Sequence, residues 1–195
     1  MSTFRERPPK LVFFASLTAA LLLAACGASG AGNPDSKLTA SQAREKLPAG
    51  SPPQLVAIRE QANTILEGGT GAFEARLAGL KGTPVVVNKW ASWCGPCRLE
   101  FPELQSQAIK RGGQVAFLGV LSNDAIDTGQ TFLDQLPLPY PSYHDPDQEI
   151  GRLIKGQAGF PATAFYDRNG ELVHTRLGPY TDEAQLAADI ERYAR

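Results

Sequence analysis

Two cysteines separated by two residues, Cys94 and Cys97, carry the most specific chemical signal in the sequence. Such a pair can close into a small disulfide ring and reopen, so it can pass two electrons. A structural zinc site needs two further ligands, and no second Cys or His pair follows with suitable spacing. The pair therefore predicts redox chemistry, with no cofactor and no metal.

The residues around the pair predict how the two sulfurs differ. Three consecutive valines indicate a buried strand over residues 85–90, and Pro96 is tolerated in the first turn of a helix. We therefore expect a helix from Cys94 or Gly95, whose N-terminus stabilises negative charge on Cys94 and lowers its pKa. Cys97 lies one turn further in, where it would resolve the mixed disulfide that Cys94 forms.

Composition narrows the class of protein. The 195 residues carry a formal net charge of −1, which argues against a nucleic-acid partner. The length allows one domain with additional chain. There are three cysteines, and the odd one, Cys26, needs its own explanation.

The first 25 residues predict a signal peptide, because a basic segment precedes an apolar one. The apolar run, 11–25, is shorter than the ~20 residues that a membrane-spanning helix needs. It ends in Leu-Ala-Ala-Cys, which resembles a bacterial lipobox, so Cys26 is predicted to be lipidated and to attach the protein to a membrane. An uncleaved anchor, or a leader followed by an incidental cysteine, are the alternatives.

Residues 26–53 are rich in Gly, Ala, Ser and Pro without a hydrophobic period, which predicts a flexible, lipid-anchored tether. The domain is then predicted over 54–195, beginning with an amphipathic helix over 54–67. The remaining pattern predicts a strand over 114–121, parallel to the first, and a hairpin across Asn169-Gly170. Further helices are predicted over 72–80, 124–136, 145–155 and 181–195, the last with Thr181 as its N-cap.

The segment W-A-S-W-C-G-P-C resembles the active site of thioredoxins. The wider segment, residues 84–102, is similar to the membrane-tethered TlpA/ResA/DsbE-like branch of the thioredoxin superfamily. The resemblance implies an α/β thioredoxin fold over the core 70–195, with a central mixed β-sheet flanked by helices, an N-terminal extension and an inserted segment at 124–141. Members of that branch are extracytoplasmic thiol–disulfide oxidoreductases, often serving cytochrome c maturation.

The resemblance also assigns roles near the dithiol. Glu100, three residues after Cys97, occupies the position of a carboxylate that exchanges a proton during the reaction. An ordinary solvated helix carboxylate is the alternative. Asn88 replaces the buried aspartate of cytoplasmic thioredoxin and is expected to be a hydrogen-bonded core residue. Lys89 departs from the branch, which has an aromatic residue there. The surface next to the strand is therefore expected to differ from that of the branch, whereas the chemistry is expected to be the same.

Gly159-Phe160-Pro161-Ala162-Thr163 resembles the cis-proline loop of thioredoxin folds. The resemblance implies that Pro161 positions the substrate and that the backbone of Phe160 offers a strand edge, whereas a trans turn is the alternative. Trp93 is expected to be an exposed ring available to the substrate, and Trp90 a core residue.

Together these features predict dithiol–disulfide exchange that reduces exported proteins outside the cytoplasm. Re-reduction would come from an integral membrane thiol electron donor, as in the family, and the protein would be a monomer. An oxidase or isomerase remains open. A copper or substrate carrier on a thioredoxin scaffold is the alternative from a different class. Copper-carrying relatives use two cysteines separated by three residues and a distant histidine, whereas here the spacing is two and both His144 and His174 are expected on the surface or in loops.

Overall fold

The computed structural model of this protein describes residues 38–195 and, before them, only Met1 and Thr3. Cys26, the rest of the predicted leader and the first part of the predicted tether lie outside the described residues. Within the described part, no helix combines the length and the apolar character needed to cross a membrane. All elements below belong to the compact unit Asp35–Arg195.

A six-stranded mixed sheet forms the centre of this unit, in the order β1-β4-β3-β2-β5-β6. The strands are β1 (Ile65–Leu66), β2 (Val85–Trp90), β3 (Ala116–Ser122), β4 (Ser142–Asp145), β5 (Ala162–Tyr166) and β6 (Leu172–Leu177). Strands β1, β4, β3 and β2 pair in parallel, whereas β5 runs antiparallel to both β2 and β6. The predicted mixed sheet is thus confirmed, including the parallel strand after the dithiol helix and the C-terminal hairpin.

Seven helices accompany the sheet in the described part of the chain. They are α1 (Ala40–Ala43), α2 (Pro53–Glu60), α3 (Gly69–Gly79), α4 (Gly95–Arg111), α5 (Ile126–Gln135), α6 (Glu149–Leu153) and α7 (Glu183–Tyr193). The predicted helices at α3, α4, α5 and α7 are confirmed. The N-cap of α7 is Asp182, whose Oδ1 accepts from the Ala184 amide, so the prediction of Thr181 is wrong by one residue.

The predicted helix over 54–67 is wrong beyond residue 60. Asn63 has a positive φ of 61°, and the two residues of β1 pair with β4 instead of continuing the helix. The Asn63 side chain accepts from the Leu138 amide, and the Thr64 hydroxyl donates to the Gln61 carbonyl. These bonds offer the backbone an alternative to the helix, as Asn and Thr side chains commonly do. The apolar Ile65 fitted a helical period but belongs to an edge strand.

The predicted helix over 145–155 is also shorter than expected, because β4 precedes it and α6 covers only five residues. The carboxylate of Asp145, at the end of β4, accepts from the amides of Ile150 and Gly151. It therefore caps α6 from a distance, with a turn between strand and helix. This four-residue strand directly follows a proline-rich run, so the sequence pattern did not predict it.

The last part of the predicted tether, residues 38–53, is mostly exposed but touches the domain at a few points. Thr39 and Gln42 form a capping box at α1, and Ala43 is fully buried. The Arg59 guanidinium also donates to the Glu45 carbonyl at 3.4 Å. The domain therefore includes residues ahead of the predicted boundary at 54. Helix α1 has a single turn, which holds too few apolar residues to show a helical period in the sequence.

The core includes the whole of β2 and β3, whose residues are all buried. Trp90 is a core residue, as predicted: its ring centroid lies 5.4 Å from that of Phe101 and 5.3 Å from that of Phe132. Its indole nitrogen donates to Ser142 Oγ at 3.0 Å. Gly119 is required beside this pair, since a Cβ there would lie 2.1 Å from Ser142 Oγ. This packing fixes the end of β2 that leads into the dithiol turn.

Candidate active site

Cys94 and Cys97 form a disulfide across the first turn of α4, with Cα atoms 5.3 Å apart. Cys94 occupies the N-cap position of this 17-residue helix, and its Sγ accepts from the Cys97 amide at 3.1 Å. Cys94 is 4% exposed and Cys97 is fully buried. The expected order of the two sulfurs, with Cys94 outermost at the helix N-terminus, therefore matches the geometry.

Glu100 lies one turn after Cys97 and is completely buried. Its Oε1 accepts from Asn88 Nδ2 at 2.7 Å and its Oε2 accepts from the Tyr180 amide at 3.2 Å. Burial raises the pKa of Glu100 to about 7, although both hydrogen bonds and the Arg176 charge oppose the rise. The alternative of a solvated surface carboxylate is therefore wrong. The group is set to gain or lose a proton near neutral pH.

Asn88 connects this carboxylate to the opposite strand. Its Nδ2 also approaches Thr163 Oγ1 at 3.2 Å, and the side chain is almost wholly buried. The prediction of a hydrogen-bonded core residue is confirmed. Among the described residues, its Oδ1 has no hydrogen-bond partner. The sequence pattern did not single out Thr163 or Tyr180 as partners, since they follow Asn88 only after long stretches of chain.

The Phe160–Pro161 bond is cis, as the resemblance implied. The loop sits beside the dithiol turn, because Ala162 at the start of β5 pairs with Lys89 near the end of β2. Trp93 is 55% exposed, confirming the expected exposed ring. Its centroid lies 4.9 Å from that of Phe160, at an interplanar angle of 62°. Two aromatic rings therefore stand next to Cys94.

A loop after β3 holds the residues that precede Cys94. The Ser92 amide donates to Asp124 Oδ2 at 2.6 Å, and the Trp93 indole nitrogen donates to the Asn123 carbonyl at 3.0 Å. Burial alone would raise the pKa of Asp124, but hydrogen bonds from Ser92, Thr128 and Ala125 bring it below its ordinary value. This support was missed from the sequence. The available signal was the pair of polar residues, Asn123 and Asp124, that directly follows β3, the strand next to β2.

The two histidines lie on strands and not in loops, so the loop part of their expected placement is wrong. His144 is on β4, with Nε2 3.0 Å from the Asp124 carbonyl oxygen. His174 is on β6 and stacks on Tyr193, with centroids 4.3 Å apart. Both side chains are half-buried. Across residues 38–195 no three His, Cys, Asp or Glu side chains are grouped to hold a metal ion.

A dithiol at a helix N-terminus, a cis-proline loop beside it and a mixed sheet beneath it define the class of thioredoxin-fold proteins. Residues 42–190 match the model of the family described as Redoxin, and the chain belongs to that family.

Individual relatives agree with this assignment. The chain is 38% identical to the thiol:disulfide interchange protein HelX of Rhodobacter capsulatus, over 50% of this chain and 54% of HelX. It is 37% identical to the thiol:disulfide interchange protein DsbE of Pseudomonas aeruginosa, over 52% of this chain and 54% of DsbE. A solved DsbF homologue from Corynebacterium diphtheriae is 25% identical, with a TM-score of 0.51 over 60% of this chain and 75% of that one. The chain thus spans about half the length of the curated relatives it matches.

The raised pKa of Glu100 predicts a pH-dependent stability. Between the ordinary value of 4.5 and about 7, the unfolded chain releases this proton whereas the folded protein keeps it. The folded state then binds more protons, so the free energy of unfolding falls as pH rises, by ~3 kcal/mol across the window. Urea unfolding of the oxidised protein across this window measures the slope.

The Glu100→Gln variant removes this titration and should lack that part of the slope. Glu60→Gln, the same substitution at an exposed position of α2, serves as the control and should retain it. Equal slopes for wild type and Glu100→Gln would show that the buried carboxyl does not titrate as described.

Proposed function

We propose that this protein is an extracytoplasmic thiol–disulfide oxidoreductase that reduces disulfides of exported proteins through Cys94 and Cys97. The observation that carries the proposal is the closed disulfide at the N-terminus of α4, with a buried carboxyl of pKa about 7 one turn behind it. Relatives named as thiol:disulfide interchange proteins support it. A purely structural disulfide needs neither a helix N-terminus at one sulfur nor a buried carboxyl one turn away.

The reaction begins from the dithiol form. The Cys94 thiolate attacks one sulfur of the substrate disulfide, the substrate S–S bond breaks, and the departing substrate sulfur takes up a proton. The Cys97 thiolate then attacks Cys94 Sγ and breaks the mixed disulfide. The substrate leaves as a dithiol with two electrons and two protons gained, and the protein is left with the disulfide seen in the structure.

The helix N-terminus favours the first step. In the structure the Cys97 amide points at Cys94 Sγ at 3.1 Å. The same N–H and the helix dipole stabilise a negative charge on Cys94 and so favour the thiolate, which is the attacking species. Cys97 is fully buried, so it is shielded from the substrate until the mixed disulfide forms.

Glu100 serves the second step. Cys97 must lose its proton before it attacks, and a buried thiol has no direct access to water. Glu100 follows it by three residues on α4, and residues at that spacing are neighbours on a helix. A carboxyl with a pKa of about 7 accepts and returns a proton at neutral pH with little cost in free energy.

The substrate chain lies along the cis-proline loop in this proposal. Pro161 has no N–H, so the backbone of Phe160 provides the hydrogen-bonding edge for an extended polypeptide, and Trp93 contacts the segment near the disulfide. Such edge pairing recognises backbone rather than a particular side chain. The substrate class is therefore an exported protein disulfide, with apocytochromes c among the candidates that the resemblance implies.

The proposed location rests on the N-terminal sequence. Residues 1–25 act as a signal peptide, Cys26 is lipidated, and a tether holds the domain at the outer surface of a membrane. Two acyl chains are enough for stable attachment, because each buried CH₂ contributes about 0.8 kcal/mol. An integral membrane thiol carrier re-reduces the domain, which works as a monomer.

Cysteine substitutions test the reaction. Cys94→Ser should lower reduction of a protein disulfide to the rate without protein, because the attacking sulfur is gone. Cys97→Ser should instead accumulate the mixed disulfide, which mass spectrometry of trapped cell extracts identifies. Exchange by Cys94→Ser at the wild-type rate would contradict the proposal.

A measured redox potential of the Cys94–Cys97 pair tests the direction of electron flow. A value near that of strong oxidants, about −120 mV, would reverse the proposed direction to oxidation.

Glu100→Gln tests the proton transfer. We expect resolution of the mixed disulfide to slow on the order of 10²-fold at neutral pH, because Gln cannot accept the Cys97 proton. Stopped-flow measurement separates this step from the initial attack by Cys94, which should keep its rate. Glu103→Gln, the same substitution on the same helix, is the matched control. Equal slowing of both steps would argue for a structural role only.

Cys26→Ser tests the anchor. The variant should move from the membrane fraction to the soluble extracytoplasmic fraction, because it lacks the acyl acceptor. Metabolic labelling with a fatty acid should mark the wild type and not the variant. Cys97→Ser keeps Cys26 and should remain labelled, so it controls for loss of a cysteine in general. A membrane-bound Cys26→Ser protein would favour an uncleaved anchor.

A further inference from the structure

The Phe160 ring contacts a cation as well as Trp93. The ammonium nitrogen of Lys89 lies 3.8 Å from the centroid of the Phe160 ring. A cation within about 6 Å of a ring face is attracted by the ring quadrupole, and more strongly where water is excluded. Phe160 is thus held between Lys89 of β2 and the exposed ring of Trp93.

Lys89 is fully buried, which corrects the expectation that it alters only the surface beside the strand. Its ammonium is 3.5 Å from Gln148 Oε1. Burial lowers the pKa of Lys89, and the charge of Asp145 opposes this. Gly151 leaves space for the stem of the side chain, since a Cβ there would lie 3.3 Å from Lys89 Cδ.

The counter-charge is itself fixed in place. Asp145 is almost completely buried, and its carboxylate accepts from the Ser122 hydroxyl at 2.7 Å and from the amides of Ile150 and Gly151 at 2.9 and 3.0 Å. Three donors stabilise its negative charge next to Lys89. The Asp145 charge therefore acts on Lys89, which contacts the Phe160 ring, which in turn packs on the exposed Trp93 ring.

We propose that Lys89 is a positioning residue, whose ammonium holds the Phe160 ring against Trp93 and so fixes the wall along which a substrate polypeptide lies. This inference rests on the proposed exchange function. A buried ammonium is costly, and an apolar side chain of similar volume would fill the same place on β2 at lower cost. The charge makes one contact possible, the contact with Phe160 in the cis-proline loop. A polypeptide substrate lies along this loop, whereas a small disulfide reaches only the two sulfurs.

A double-mutant cycle tests the inference on the purified full-length protein in its reduced form. The variants are Lys89→Met, Phe160→Leu and the two combined, and the substrates are an extended peptide with a mixed disulfide and a small organic disulfide. Lys89→Met should raise KM for the peptide about three- to tenfold, because the cation–π contact is lost. It should leave kcat, and KM for the small disulfide, unchanged.

The combined variant decides the mechanism. If Lys89 acts through the Phe160 ring, its replacement adds nothing once the ring is gone, so the double variant has the KM of Phe160→Leu. Lys89→Arg keeps a cation and should restore much of the affinity for the peptide. Lys81→Met, at an exposed position before β2, is the matched control and should behave as wild type.

The inference would be overturned if the effects of the two single substitutions on KM for the peptide multiplied in the double variant. An equal rise of KM for the small disulfide would also overturn it. If Lys89→Met does not fold, Lys89→Gln is used in the same cycle, since its amide retains a polar partner for Gln148. Wild-type protein that exchanges neither substrate would contradict the proposed function itself. If the wild-type protein exchanges both substrates but the two substitutions act independently, only the role of Lys89 is contradicted.

Discussion

The structure depends on one costly interaction, the complete burial of the Glu100 carboxyl beneath the disulfide. Two donors make this burial tolerable: Asn88 from β2 and the amide of Tyr180 from the segment before α7. These donors are distant in sequence, so the carboxyl is satisfied only when the strand, the dithiol helix and the C-terminal segment are assembled together. Even then burial dominates, and the pKa is raised to about 7. The fold therefore holds a carboxyl that gains or loses its proton near neutral pH.

Strand β2 serves the site from both of its faces. Successive side chains of a strand point to opposite sides of the sheet. Asn88 accordingly binds Glu100 on the side of α4, whereas Lys89 approaches Phe160 and Gln148 on the other side. Neighbouring residues thus contact the buried Glu100 carboxyl and the Phe160 ring separately. Because β2 is buried between β3 and β5, neither side chain can turn to water instead.

The local features of this chain could be predicted from its sequence because adjacent residues determine them. Three valines predicted β2, and the spacing of Cys94 and Cys97 predicted their pairing. Elements stabilised by distant partners could not be predicted in the same way. Strand β1 has only two residues and exists because it pairs with β4. Likewise, nothing near Glu100 in the sequence distinguishes it from a solvated carboxylate; its burial becomes visible only once Tyr180 and Asn88 are brought to it.

Lys89 illustrates the same limit from the opposite direction. A lysine at the end of a buried strand suggests an exposed end, because burial of an unpaired ammonium is unfavourable. The structure resolves the conflict with groups that follow far later in the chain: the fixed carboxylate of Asp145, the missing side chain of Gly151 and the face of Phe160. Residues that break a local rule and are compensated at a distance concentrate at functional sites. Lys89 and Glu100 both break the rule that charged groups stay in water: Glu100 lies one turn after Cys97 on α4, and Lys89 lies against the Phe160 ring.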